Sequence, residues 1–546
     1  MKVNILNRIF YSFLLLIIGF LYFYPLEDPR NVTRGLSYAF AGIGILGFFI
    51  HLSLKISIER NNFFLRKERL ILTALIIIVL IAIVTHFVNI TIHFRNSFFL
   101  GERDFTSMAE VILNITKGLG FFSPFHGNGN SSYLSHHFSP ALAFYTPFFY
   151  IFDTRMAMAW GQLFFSILLY VLSLSLIFRD SIVKQIKIDE IAIWCIFITS
   201  NIYIYRIMTS YHFEILAAIF FLATIIAHSK KNTIAECILL ILTVSVKEDM
   251  AIYLSIYYMG ETIYSRIKEP KDWQRNFAFF LFTSFCFLVA IPFLRNFFQV
   301  PPDENWILIW SEWGSSPQEI IKNLLSSPIS PLVRIWEKSS TLWELSLGFG
   351  FLFYLSPRYF IYIILISSIH FLSGREWHNS FYNYYIYPLL PVLLYASYEG
   401  FRKLKEISFH KNGYKLFFLV LALVFYRGSW DKNFPFAPTS VNEKKVQSIE
   451  KLVESIEESY PSQPIKVAAQ FDLGVFLRLN TELYPISKEL DHNPDLILVN
   501  SKSGFSPYVD LKTIASWENH WIDSGQYKLW KEETDFRLYQ KVPILP

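Results

Sequence analysis

Cysteine is scarce in this chain and charge is thin. Three cysteines occur in 546 residues, Cys195, Cys237 and Cys286, each inside an apolar stretch. That placement excludes a disulfide framework and the paired-thiolate spacing of a zinc site. Charged residues make up 17% of the sequence, below the ~25% usual in soluble domains. No GxxxxGK[ST] phosphate loop and no GxSxG elbow is present, which disfavours an ATP-driven pump and a serine hydrolase. No internal repeat or low-complexity tract appears. Nor is there a small-residue cleavage site after the first apolar run. Lys2 and Arg8 precede that run as in a signal peptide, but it ends in Tyr22-Phe23-Tyr24-Pro25, so an uncleaved span is expected.

What the chain has instead is apolar bulk. Hydrophobic residues reach 53% and aromatic residues 18%, gathered in blocks of about membrane-spanning length. The expected fold is mainly α, a polytopic helical membrane protein with about 13 spans. The net charge of +5 sits in short loops, which is the positive-inside signature rather than a nucleic-acid footprint. Basic surpluses at 55–69, 266–275 and 400–414 mark the cytoplasmic side. The expected spans are Ile9–Tyr24, Gly35–Leu54, Leu70–Phe94, Met156–Phe178, Ile191–Tyr205, Phe213–Ala227, Ile234–Val246, Met250–Tyr264, Phe277–Phe298, Leu342–Leu355, Tyr359–Leu372, Phe381–Tyr398 and Leu416–Tyr426. Residues 1–427 then form a transmembrane domain with outer loops at 95–140 and 299–340. In the second of these, Trp306, Trp310 and Trp313 have the spacing of an interfacial helix. From 428 to 546 charges of both signs interleave with strand-length apolar runs such as IKVAAQ, DLILVN and FRLYQKV, and Val446–Ser459 is amphipathic. A soluble extracytoplasmic α/β domain is expected there.

Ionisable residues gather at the span ends that this topology places outside. They are Glu102 with Asp104, His136 with His137, Arg206 with His212 and Glu214, the run Lys247-Glu248-Asp249, and Arg375 to His378. Charges at membrane depth are costly and face one another or a wet cavity, so convergence on one face points to a site. Each group also has a plainer reading. Glu102 and Asp104 suit a solvated loop, and Glu214 suits the positive N-terminus of a span. Asp249 suits an N-cap, as does Ser139 ahead of Pro140 at a helix start. His136 and His137 are adjacent, so shared metal ligation would need irregular backbone. On the amphipathic segment Ala109–Lys117, Glu110 and Lys117 fall on the expected solvated face. Lys247, between two apolar spans and beside two carboxylates, is the hardest to read as a cap.

The order of these motifs resembles a bacterial membrane family known as a domain of unknown function, DUF2079. Asp104 falls on its first-loop Asp, His137-Phe138-Ser139-Pro140 on its HFSP, His212 and Glu214 on its His-Pro-Glu, and Lys247-Glu248-Asp249 on its KED; the tail stretch KVAAQFDLGVFLRLNTELYPI is also similar. Position 136 is His where an acidic residue is expected, Phe213 replaces the usual Pro, and a family His near Tyr384 is missing. The family in turn resembles the GT-C glycosyltransferases. That resemblance implies transfer of a sugar from a polyprenyl-phosphate carrier to a glycan, lipid or protein acceptor at the outer face of a bacterial cytoplasmic membrane. It further implies a periplasmic tail domain, membrane lipids as partners and no nucleic acid. Inversion at the anomeric carbon needs a carboxylate base and positive charge for the departing phosphate. Asp104 is the expected base, with Glu102 as helper or metal ligand. Lys247, Arg206 and Arg375 are expected phosphate ligands, with His137, His212, Glu214, Glu248 and Asp249 shaping the site. A divalent cation, Mg or Mn, would be held by Asp104, His136 and His137. A transporter or lipid-glycan flippase, or a non-catalytic envelope assembly protein, are the alternatives; broken spans would favour the transporter.

Overall fold

A computed structural model describes residues 62–94, 103–124, 132–178, 188–298, 309–381, 384–409, 443–461, 464–470, 473–477, 481–490, 492–502 and 510–543, with isolated positions at 12, 419–421, 423–424 and 427. Helices of eight or more residues are numbered α1 to α16 in chain order. They are α1 (Asn62–Phe94), α2 (Arg103–Thr116), α3 (Thr154–Ser175), α4 (Ile188–Thr199), α5 (Ile202–Thr209), α6 (Ile215–Ser229), α7 (Thr233–Val244) and α8 (Met250–Lys268). There follow α9 (Trp273–Phe285), α10 (Pro317–Ser326), α11 (Ile329–Glu337), α12 (Ser339–Gly348), α13 (Phe360–Phe371), α14 (Leu390–Phe409), α15 (Glu443–Ser459) and α16 (Leu511–Asp523). The chain packs as two compact units, one of residues 1–88, 164–289 and 305–437, the other of 89–163, 290–304 and 438–546.

The helical character is as expected; the span count is not. Among the described residues two helices, Met156–Ser175 and Trp273–Phe297, are long and apolar enough to cross a membrane. The bent pair Glu190–Thr199 and Ile202–Thr209 would make a third. An apolar run has the length of a span, but hydropathy does not reveal where a helix stops. The expected tenth span ends as a helix at Gly348. Gly350 (φ +54°) and Phe351 (φ +59°) then turn left-handed, and Leu352–Leu355 is a 3₁₀ turn. At Gly350 an added Cβ would lie 2.6 Å from a Val420 methyl, so glycine is the residue that both the turn and the packing accept. The expected twelfth span begins in turns, becoming helical only at Leu390. Other apolar helices, such as Ile215–Ser229, reach only ~22 Å at 1.5 Å per residue, against a hydrocarbon core of ~30 Å. The first two expected spans, and most of the thirteenth, lie outside the described residues.

In the first unit, α6, α7 and α8 are consecutive antiparallel neighbours, α9 packs on α8, and α14 packs on α6. α4 and α5 meet at 51°. The break has a visible cause in Asn201, whose Oδ1 accepts from the amides of Tyr203 and Ile204 while Nδ2 donates to the Gly348 carbonyl. A side-chain acceptor there starts a new helix rather than continuing the old one. α9 passes through a π turn at Cys286–Ala290 into Ile291–Phe297.

In the second unit the tail forms a five-stranded sheet in the order β2-β1-β3-β5-β4, from β1 (Ile465–Ala469), β2 (Thr481–Pro485), β3 (Leu496–Asn500), β4 (Tyr527–Glu533) and β5 (Phe536–Lys541). β1 runs parallel to β2 and β3, and β5 antiparallel to β3 and β4. The runs IKVAAQ, DLILVN and FRLYQKV thus supply β1, β3 and β5. One sheet face buries Val467, Leu496, Leu498 and Leu538 against Ile449, Leu452 and Ile456 of α15. The other buries Ile497, Val499 and Tyr539 against Ile514 and Trp521 of α16. Alternation along the strands, period two, makes this three-layer α/β arrangement.

Candidate functional site

The sequence-derived site residues divide between the two units, and each set is described within its own. In the first unit Glu214 sits just before α6, and Lys247-Glu248-Asp249 fills the turn between α7 and α8. Lys247 Nζ donates to Glu214 Oε1 at 2.9 Å, and His212 Nδ1 lies 2.8 Å from Glu214 Oε2. All three are buried, Glu214 to 1% exposure. Glu214 is therefore no simple dipole cap, since both its oxygens are taken by cationic or N–H partners.

Aromatic residues wall this centre. His212 stacks on Tyr384 with ring centroids 3.7 Å apart, and the Lys247 ammonium lies 5.8 and 5.5 Å from the Tyr384 and Tyr387 centroids. Tyr387 donates its hydroxyl to Asp249 Oδ2. Asp249 Oδ1 is buried with no hydrogen-bond partner among the described residues. Asp249 also makes no side-chain cap bond to α8, so the N-cap reading fails. Beyond Tyr387 come Tyr253, whose hydroxyl is 3.5 Å from His370 Nε2, and His378, stacked on His370 at 4.4 Å. Glu248 is half-buried and Arg375 exposed. Arg206 donates to the Phe381 carbonyl at 3.5 Å and lies over the Tyr203 ring.

Tyr253, His370 and Tyr387 escaped the sequence reading because a Tyr or His inside an apolar run resembles core. The same is true of a second buried ionic centre. His228 closes α6 with Nδ1 2.7 Å from Glu236 of α7 and Nε2 3.2 Å from Glu261 of α8. Arg358 Nε donates to both Glu261 oxygens at 2.9 and 3.0 Å, and Tyr258 donates to Glu236 at 2.9 Å. The available signal was three ionisable residues spaced into otherwise apolar helices.

In the second unit Asp104 occupies the first turn of α2 and is exposed, while residues 105–114 are buried on every side. This corrects the solvated-face reading of α2. Glu110 is buried and accepts from Ser123 Oγ at 2.8 Å; Lys117 reaches the Thr481 carbonyl at 3.2 Å. Burial lowers the Lys117 ammonium below its ordinary range, against the opposing pull of Glu110 and Glu482. α2 appears amphipathic because one face meets Pro140–Tyr145 and Thr146–Phe149, and another meets the turn Gly474–Phe476 of the tail. At Gly474 an added Cβ would come within 2.7 Å of Thr106 and 2.8 Å of Leu483.

His136 and His137 are half-buried, with ring centroids 4.2 Å apart. Arg295, unnoticed in the sequence, holds their turn through the carbonyls of Ser135 (3.0 Å) and His136 (3.1 Å). Ser139 does precede a 3₁₀ turn with Pro140 first, but its hydroxyl makes no cap bond. Glu102 lies outside the described residues. No group of three His, Cys, Asp or Glu side chains among the described residues is placed to hold a metal ion.

Glu214, Lys247 and His212 thus form a buried, aromatic-walled ionic centre, while Asp104 and Arg375 are exposed. No curated protein and no solved structure matches this chain. A family model described as "Predicted membrane protein (DUF2079)" matches residues 95–534, a span that holds the motifs from Asp104 through KVAAQFDLGVFLRLNTELYPI, and the chain belongs to that family.

Proposed function

We propose that the protein is a membrane glycosyltransferase of GT-C type. It would take a sugar from a polyprenyl-phosphate carrier at the outer face of a bacterial cytoplasmic membrane and pass it to a glycan, lipid or protein acceptor, with the tail domain periplasmic. The observation that carries this reading is the Glu214–Lys247–His212 centre with Asp249 and Tyr387 beside it. A bundle needing only stability would gain from apolar residues at those positions, so retained buried charge favours a ligand. Lys247 is the proposed partner of the carrier phosphate, with Arg206 and Arg375 as further cations. Asp104, exposed at the start of α2, is the proposed base.

A divalent cation, Mg or Mn, fits one form of this proposal. Mg is commonly held by one or two carboxylates plus substrate phosphates and waters, which asks for less than three protein ligands. Asp104 would serve, with Glu102, His136 or His137 as helpers. The cation would neutralise charge on the departing phosphate.

The test is transfer from a labelled lipid-linked sugar in membranes, measured beside protein abundance. Asp104→Asn keeps shape but cannot take a proton, so turnover should fall about 10²- to 10⁴-fold with carrier binding intact. Unchanged turnover would remove Asp104 as base. Chelation by EDTA with readdition of Mg or Mn decides the cation.

One observation favours a second reading, a transporter or flippase. Discontinuous helices line many transport sites, and α4 and α5 are broken by 51° at Asn201. Movement of a labelled carrier across proteoliposomes without any sugar transfer would select it.

A further inference from the structure

The segment 309–348 carries three short helices, and two of them face the wrong way for a protein in water. On α11 the residues Ile329, Leu332, Val333 and Trp336 follow the i, i+3, i+4, i+7 stripe of one helix face. They are 74, 65, 50 and 77% exposed. Arg334 and Ile335, on the other side, are half-buried, and Arg334 pairs with Glu312 at 3.4 Å. α10 repeats the pattern, with Ile321 and Leu325 exposed by 59 and 75%. The segment is nevertheless anchored. Asn323 Nδ2 donates to the Trp313 carbonyl at 2.8 Å, and the Trp310 and Trp313 indoles donate to the carbonyls of Ile369 and Leu372 at 3.1 and 2.8 Å. Trp310 and Trp313 therefore cap the end of α13; Trp306 lies outside the described residues.

We propose that α10 and α11 lie in the plane of the bilayer surface with this apolar side in the lipid. Three observations choose lipid as the occupant. α11 packs beside α13, whose Ile361, Ile364 and Leu365 are themselves exposed, so the stripe continues an apolar surface that this short apolar helix also presents. Tryptophan ends the stripe, at Trp336, and recurs exposed at Trp343, and indole rings favour the headgroup level. Neither helix is long enough to span: nine residues of α11 rise only ~14 Å. Surface helices of this kind bury the apolar face ~5–10 Å into the headgroup boundary. Glu319 and Lys322 on α10, and Arg334 and Glu337 on α11, balance in charge. The attachment is accordingly apolar and indifferent to anionic lipid.

The experiment uses the full chain with Cys195, Cys237 and Cys286 replaced by Ala, in phosphatidylcholine nanodiscs containing lipid spin-labelled at a shallow or a deep acyl carbon. Single fluorophores are placed through Val333→Cys, Trp336→Cys and Leu325→Cys, with Ser330→Cys as the control on another side of α11 and Lys451→Cys on the tail. The stripe positions should show blue-shifted emission quenched more than either control, and more by the shallow label than the deep one. Salt and anionic lipid should leave this unchanged. Water-like emission at the stripe would overturn the proposal. So would a dry stripe that lipid labels do not quench, since a second copy or another segment of this chain would then cover it. Stronger quenching by the deep label would mean insertion across the core, and would equally overturn it. None of these outcomes depends on sugar transfer.

Discussion

Glu214 has two partners and no water in which to lose either. A buried carboxylate stripped of its cation costs ~3–5 kcal/mol, so Lys247→Met should lower the melting temperature of the purified chain sharply. The double variant Glu214→Gln, Lys247→Met removes both charges and should recover most of that loss. A single variant as stable as the parent would mean that the 2.9 Å pair contributes nothing. The double variant also refines the functional test. If Lys247 binds carrier phosphate, the double variant stays inactive although it is stable, whereas restored transfer would show that Lys247→Met failed only by unfolding. Tyr387→Phe probes the neighbouring carboxylate. Asp249 has Tyr387 on one oxygen and, among the described residues, no partner on the other, so losing the hydroxyl should cost ~1–3 kcal/mol, read by thermal unfolding. No change would mean that water replaces the phenol.

At the scale of elements, the contact between Gly474 and α2 is the most sensitive to a single methyl. Gly474→Ala must push Thr106 or Leu483 aside, an overpacking expected to cost ~1–3 kcal/mol. Its signature would be earlier proteolysis or faster hydrogen exchange in both α2 and β2, with α6 to α8 unchanged. Exchange unaffected in α2 would argue against that contact. Elements were legible in the sequence wherever periodicity and burial agree. IKVAAQ and DLILVN became β1 and β3 because they are short, β-rich and flanked by polar residues. Lys247 and Glu214 were legible because charge beside apolar helices stands out. What could not be read was partnership. Glu110 looked solvated because an amphipathic pattern does not say that protein, rather than water, covers the polar side. Tyr387 and His370 carry no mark distinguishing a hydrogen-bonded wall from core. Asn201 breaks a helix through a cap to Tyr203 and Ile204, and hydropathy runs straight across it.

For the whole molecule, membrane association rests on two helices long and apolar enough to span, or three with the bent pair, among the described residues, together with family membership. Many shorter apolar helices therefore need neighbours to satisfy what lipid cannot. The His228 centre is one such joint. His228 meets a carboxylate at each ring nitrogen, a geometry satisfied by an imidazolium with two N–H donors. His228→Gln should destabilise the chain far more than Lys231→Gln, because Lys231 is largely exposed in its pair with Asp272 and surface pairs contribute ~0–1 kcal/mol. Equal melting temperatures for the two variants would refute the ranking. The position of the two ionic centres has a mechanical consequence. α6 begins at Glu214 and ends at His228; α7 begins near Glu236 and ends short of Lys247; α8 begins after Asp249 and carries Glu261 three turns on. An ion pair joins the start of α6 to the α7–α8 turn, and His228 ties α6 to α7 and α8 at a second level. Three rods bolted at two levels cannot slide or roll singly without unmaking an ion pair in a dry interior. They form a plate, and whatever flexing accompanies ligand entry falls to parts without such bolts, among them the elbow at Asn201 and the π turn at Cys286–Ala290.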